Sequence, residues 1–215
     1  MAQGDDVRSA TIGGGYGYKS GTSMACPHVA GAVGLLKCAY PDATAQELKA
    51  ALLYSANNLG IPGEDNEYGR GIISMVDAYN WLGQALVSDT MELAISPKQD
   101  TVHFSLHAGA ANQGRFYSLL GGVTGSAPGM ALPGGLVLPV NQDYFTDLTL
   151  IYTNSVFFQG FSGNLDFNGN AQAKLYTGRL LNSSLIGMEL TFAFCAWPAP
   201  AFDFVSNAWT ITIIP

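Results

Sequence analysis

Ser23 is the residue with the clearest chemical potential. It sits in Ser20-Gly21-Thr22-Ser23-Met24-Ala25-Cys26-Pro27-His28-Val29-Ala30-Gly31, where a small, turn-forming start runs into an apolar, helix-forming stretch. A helix beginning at Thr22 or Ser23 places the hydroxyl beside unpaired backbone amides and the positive end of the helix dipole. Such a site stabilises negative charge building up on a reacting oxygen. A serine hydroxyl is a weak nucleophile at its own pKa and needs a base within hydrogen-bond reach. His28 does not offer one, since residues five apart on a helix do not stack as an i, i+4 pair does. A hydrogen-bonded, packed histidine is expected there instead.

The remaining candidates carry less chemistry. His103 and His107 fall in the alternating run Thr101–His107, about 13 Å apart on a strand and too far to share a metal. Outward-facing polar positions are expected for both. Asp166-Phe167-Asn168-Gly169-Asn170 has a superficial likeness to a calcium loop. Its glycine is misplaced, however, and Thr177 stands where a bidentate Glu belongs. Asn168-Gly169 instead predicts a hairpin turn between strands within Leu165–Leu175. Cys26, Cys38 and Cys195 are too few and too scattered for a disulfide framework or a zinc site. On one helix Cys26 and Cys38 lie roughly 18 Å apart. Free, buried thiols are expected.

The elements that must position Ser23 follow from periodicity. A helix through Met24, Val29, Val33, Leu35 and Leu36, with Ala and Gly between, is apolar or small nearly all round, which predicts a central position with neighbours on every side. Thr44-Ala45-Gln46-Glu47 has capping-box spacing and starts a second helix with Leu48, Ala51 and Leu52 on its buried face. Tyr68–Ile73 reads as a loop and extended piece, and Ser74 caps a third helix through Val76, Tyr79 and Leu82. Beyond Asp89 the pattern changes to short strands, among them Thr101–His107 and Trp209–Ile214, broken by turn residues. The expected domains are therefore 1–86 and 87–215, the second an all-β antiparallel sandwich.

Composition narrows the function classes. The chain has 215 residues, 48% hydrophobic and 12% charged, with net charge −7, so a large core is available and disorder is excluded. By count, 1–86 holds eight acidic and five basic residues and 87–215 eight and four. Neither half carries a basic cluster for a phosphate backbone, and nucleic acid is not an expected partner. No run approaches the roughly 20 apolar residues of a membrane span, and MAQGDDVRSA lacks the pattern of a signal peptide.

The segment Gly21–Gly31 resembles the nucleophile segment of subtilisin-like serine proteases, the subtilases. The resemblance extends over roughly Asp5 to Leu82, with Asp6–Ala10 similar to the preceding strand, Pro41–Asn57 to the following helix, and Tyr68–Ile73 with Ser74–Leu82 to the closing loop and helix. It implies an α/β fragment, mainly helices here, in which Ser23 is the nucleophile and its amide part of the oxyanion hole. The motif histidine, His28, is not the catalytic one in this family. The catalytic Asp, His and a side-chain oxyanion donor come from segments that precede those seen here. The resemblance thus implies the C-terminal portion of a secreted or cell-surface serine endopeptidase, inactive alone, whose partners are a peptide or protein substrate and the missing N-terminal catalytic segment. No cofactor is recognisable, although calcium is common in complete subtilases. A segment from His107 to Leu150, with Pro128-Gly129, Leu132–Gly135 and Leu138–Asn141, resembles a β-rich C-terminal module of bacterial secreted proteins. The alternative is a non-catalytic binding or surface module, in which the first part is a protease relic and the sandwich does the work.

Overall fold

The computed structural model describes residues 1–61, 63–95, 101–178, 182–197 and 202–215. They form two compact units, Met1–Gly83 and Gln84–Pro215.

In the first unit a β-hairpin pairs β1 (Val7–Ala10) with β2 (Tyr16–Lys19), Val7 opposite Lys19. Three helices follow: α1 (Thr22–Ala39), α2 (Ala45–Tyr54) and α3 (Met75–Leu82). Local chemistry sets their starts. Thr44 Oγ1 accepts from Glu47 N–H at 3.2 Å while Glu47 Oε2 accepts from Thr44 N–H at 2.7 Å, closing the capping box. Ser74 Oγ accepts from Asp77 N–H at the start of α3. The helices share a small core of Leu36 from α1, Leu48, Ala51 and Leu52 from α2, and Ala78 and Trp81 from α3.

The expectation of mainly helical structure needs amendment, because β2 and its hairpin were hidden behind the glycine run Gly13–Gly15. The central position expected of α1 is not found either. Only Ala32 and Leu36 are buried, and Leu35 is 64% exposed. Helices α2 and α3 pack against α1, and most of its other residues are exposed. For the same reason Cys26 and Cys38 are exposed rather than buried. An apolar groove of about 520 Å³ runs beside α1, with Val29, Val33, Leu48, Leu52 and Ile73 in its walls.

The second unit is not all-β. Its strands build a sheet ordered β10-β6-β12-β14-β4, with β13 paired to β12, and a sheet ordered β3-β5-β11-β9. In chain order these are β3 (Leu86–Ser88), β4 (Glu92–Ala94), β5 (Thr101–His107), β6 (Phe116–Gly122), β9 (Phe158–Gln159), β10 (Ser162–Asn164), β11 (Asn170–Tyr176), β12 (Glu189–Trp197), β13 (Phe204–Val205) and β14 (Trp209–Ile214). The small ribbon β7 (Met130–Ala131) and β8 (Val137–Leu138) and a helix, α4 (Tyr144–Ile151), complete it. The sheets are not purely antiparallel, since β4 and β14 pair in parallel, Leu93 opposite Ile213.

Alternation in β5 buries Val102, Phe104 and Leu106. Phe104 meets Phe192 of β12 with ring centroids 4.8 Å apart, and Phe161 packs edge-on to both. Phe145 of α4 joins the same cluster against Phe158 and Phe192. A polar tie reinforces it, as Trp209 Nε1–H donates to Ser88 Oγ at 2.8 Å. The expected hairpin around Asn168-Gly169 is a tight turn but not a hairpin, because β10 pairs with β6 while β11 pairs with β5 and β9. The turn moves the chain from one sheet to the other. It is held by Asp166 Oδ1, which accepts from Asn168 and Asn170 N–H. Glycine is required at 169, where φ is +76° and a Cβ would stand 1.9 Å from the Gly109 carbonyl oxygen.

Helix α4 begins at Asp143. Oδ1 accepts from the amides of Phe145 and Thr146, and Oδ2 from the amides of Val123 and Thr124 and the Thr124 hydroxyl. Partial burial pushes this carboxyl up, but these donors outweigh it and hold it below the usual aspartate value. A carboxyl depressed on folding contributes stability that is present above its unfolded pKa and lost as pH falls through the folded one. The stability difference between the native chain and Asp143→Asn should therefore be largest near neutrality and shrink below about pH 4, read from urea midpoints across pH. Phe192→Ala should destabilise the second unit by about 3–5 kcal/mol in the same measurement, since it removes the ring shared by three aromatic contacts.

Candidate active site

Ser23 is the second residue of α1 and is exposed. The helix has no side-chain cap, because Gly21 occupies the N-cap position with φ 147° and ψ 166°. The preceding chain supplies the anchor. Gly21 N–H donates to the Gly4 carbonyl at 2.7 Å, Asp6 N–H donates to Ser20 Oγ at 3.0 Å, and Ser20 O–H donates to Asp5 Oδ1 at 2.5 Å. The two segments meet because β1 and β2 pair in the register that sets Asp6 against Ser20. Their contact is close. A Cβ on Gly4 would lie 2.8 Å from the Gly21 oxygen and 3.1 Å from the Ala25 Cβ.

This anchor leaves the first turn of α1 open. Met24 N–H is satisfied by the Gly21 carbonyl at 3.0 Å, whereas the amides of Thr22 and Ser23 and the Ser23 hydroxyl have no hydrogen-bond partner among the described residues. Pro27 lies inside the helix. Lacking an N–H, it gives nothing to the Ser23 carbonyl four residues earlier. A hydroxyl, two unpartnered amides and the positive end of an 18-residue helix thus lie together at an exposed helix start. The arrangement can hold an oxyanion next to a nucleophile. Among the described residues, no base is hydrogen-bonded to the Ser23 hydroxyl.

His28 is not that base. Its Nδ1 lies 2.9 Å from the Met24 carbonyl, one turn back along α1. The expectation of a hydrogen-bonded histidine is met, but it is exposed rather than packed, as is the side of α1 that carries it. His103 and His107 belong to the second unit. His103 Nδ1 is 2.8 Å from Asp89 Oδ2 in an exposed pair, and His107 Nδ1 is 3.1 Å from Asn170 Oδ1. Among the described residues no group of three or more His, Cys, Asp or Glu could hold a metal ion. Burial pushes the Cys195 thiol up to about 12, so it is un-ionised at neutral pH and inert.

Residues 2–71 match the subtilase family. The subtilase match lies wholly within the first unit and includes the Gly4–Gly21 anchor, Ser23 and the loop closing on Gly71. The chain is 44% identical over 66 residues to an extracellular serine protease of Serratia marcescens, covering 31% of this chain and 6% of that protein. It is 40% identical over 75 residues to a subtilisin of Bacillus pumilus, covering 35% of this chain and 26% of the relative. Among solved structures, a psychrophilic subtilisin-like protease of Pseudoalteromonas sp. AS-11 aligns with 42% identity and a TM-score of 0.31, over 31% of this chain and 15% of that one. The chain therefore spans a small part of the length of these subtilase relatives.

The sequence alone assigns Ser20, Asp5 and Asp6 no part in anchoring the helix start. Their signal was the hairpin: a strand at Val7–Ala10, three glycines, then alternating Tyr16-Gly17-Tyr18, which brings the flanks together. Gly4→Ala should pry the anchor open. Loss of one hydrogen bond, worth about 1 kcal/mol, should raise amide exchange at Gly21 several-fold while leaving Leu36 in the helix core unchanged, as read by hydrogen-exchange NMR.

Proposed function

We propose that the first unit is the nucleophile-bearing part of a subtilisin-like serine endopeptidase, with Ser23 as nucleophile. The observation that carries this reading is the unpartnered Ser23 hydroxyl beside unpartnered amides on an anchored helix start, in a segment that matches the subtilase family. In the reaction Ser23 Oγ attacks the scissile carbonyl carbon while its proton passes to a histidine base. The carbonyl oxygen gathers negative charge against the Ser23 amide. The C–N bond breaks, the amine leaves with the proton, and water hydrolyses the acyl-enzyme to regenerate the hydroxyl.

The histidine and the aspartate that orients it are contributed by polypeptide outside the 215 residues. That polypeptide also covers the bare side of α1 and fills the groove along Val29, Val33 and Leu48. Two facts support this: the Ser23 hydroxyl has no hydrogen-bond partner among the described residues while His28 bonds the Met24 carbonyl, and an apolar helix with Leu35 bare has a strong drive to be covered. The assembled protease acts outside the cell, with the second unit as a β-rich appendage. The competing reading, a binding module with a protease relic, draws on that same lack of a base.

A chimera separates the two readings. Replacing the 75 matched residues of the Bacillus pumilus subtilisin with the corresponding segment of this chain should yield an enzyme that hydrolyses casein, and Ser23→Ala should abolish the hydrolysis with the fold retained. A folded chimera without activity favours the relic. The 215-residue chain by itself should neither cleave casein nor react with a fluorophosphonate at Ser23. Without its base the rate should fall by a factor of about 10⁴ or more.

A further inference from the structure

The second unit contains a concavity that the chemistry at Ser23 does not use. It has a volume of about 480 Å³ and opens between the two sheets on the flank covered by α4. Leu190 of β12 and Ile213 of β14 form one wall, Phe158 of β9 and Leu175 of β11 the other. Phe145 and Leu148 of α4 close one side, and Leu185 and Met188 border the other. The size falls within the roughly 300–1,000 Å³ of sites that enclose a small molecule.

We propose that this concavity is a binding site for a neutral aromatic molecule. Charge argues for neutrality. None of the described residues lining it is acidic or basic, so a charged guest would be desolvated without a partner. The net charge of −7 further disfavours an anion. The walls argue for a ring. Six of the lining residues are aromatic, namely Tyr144, Phe145, Tyr152, Phe157, Phe158 and Tyr176, and rings pair with rings beyond the gain from area alone.

The site is also formed in advance. Phe145 stands edge-on to Phe158 at 6.0 Å and to Phe192 at 6.2 Å, and Phe158 stands edge-on to Phe161 at 5.1 Å. Two of the walls are therefore held by the core, and little ordering cost falls on binding. Tyr144 and Tyr152, which also line the site, are 63% and 51% exposed, so its mouth is open to solvent.

The test uses the full chain and the neutral fluorophore N-phenylnaphthylamine. Its emission should rise saturably to one probe per chain. Leu148→Trp fills the concavity from α4 at a partly exposed position and should weaken binding by about tenfold or more. Met188→Trp does the same from the opposite border and serves if the first variant fails to unfold cooperatively. Val156→Asp alters a 65% exposed neighbour that does not line the site and should leave binding unchanged.

Absence of saturable binding to the folded chain would overturn the proposal. So would undiminished binding to a folded tryptophan variant, or loss of binding in Val156→Asp, which would indicate a general apolar surface. Sedimentation showing a dimer that dissociates as the probe binds would assign the concavity to a second copy of the chain and would also overturn it. None of these outcomes depends on Ser23.

Discussion

The hydrogen bond from Gly21 N–H to the Gly4 carbonyl is the constraint on which the candidate site depends. A helix start without a side-chain cap is free to fray, and here the N-cap is a glycine. Tying Gly21 to Gly4, and Ser20 to Asp5 and Asp6, moves the capping task to a neighbouring segment. The first amides of α1 remain available. A side-chain cap would have used one of the donors that an oxyanion needs. The glycine at position 4 follows from the same requirement, as a Cβ there would press on the Gly21 oxygen.

What was legible in the sequence was local. Thr44 with Glu47 and Ser74 before α3 satisfy amides within three residues of themselves, so their roles could be read from spacing alone. The place of Ser23 in the first turn of α1 was legible because a helix start is also a local event. Helix α4 was missed although Asp143 and Thr146 form a capping box. Its residues Tyr144-Phe145-Thr146 and Thr149-Leu150-Ile151 have strand-like propensities, and burial of Thr146 and Thr149, with the packing of the half-buried Phe145 on Phe158 and Phe192, overrides them. The crossing at Asn168-Gly169 was misread for a related reason. The turn itself is local, but which strands its arms join is decided by β5 and β6, far away in the chain.

The bare side of α1 is equally a matter of partners rather than pattern. An all-round apolar helix predicts complete burial, and the described residues deliver it only at Ala32 and Leu36. The exposed thiols of Cys26 and Cys38 and the open groove beside Val29 and Val33 are consequences of that one fact. The second unit, by contrast, closes its own core around Phe104, Phe161 and Phe192, so its aromatic cluster holds without help from another element.

The central claim is that Ser23 becomes the reacting atom once a histidine base is supplied. The most direct measurement is peptide mass mapping of the subtilisin chimera after reaction with a fluorophosphonate. A single covalent adduct on the peptide containing Ser23 is the predicted result. An adduct on another residue, or none on a chimera that still cleaves casein, would contradict it.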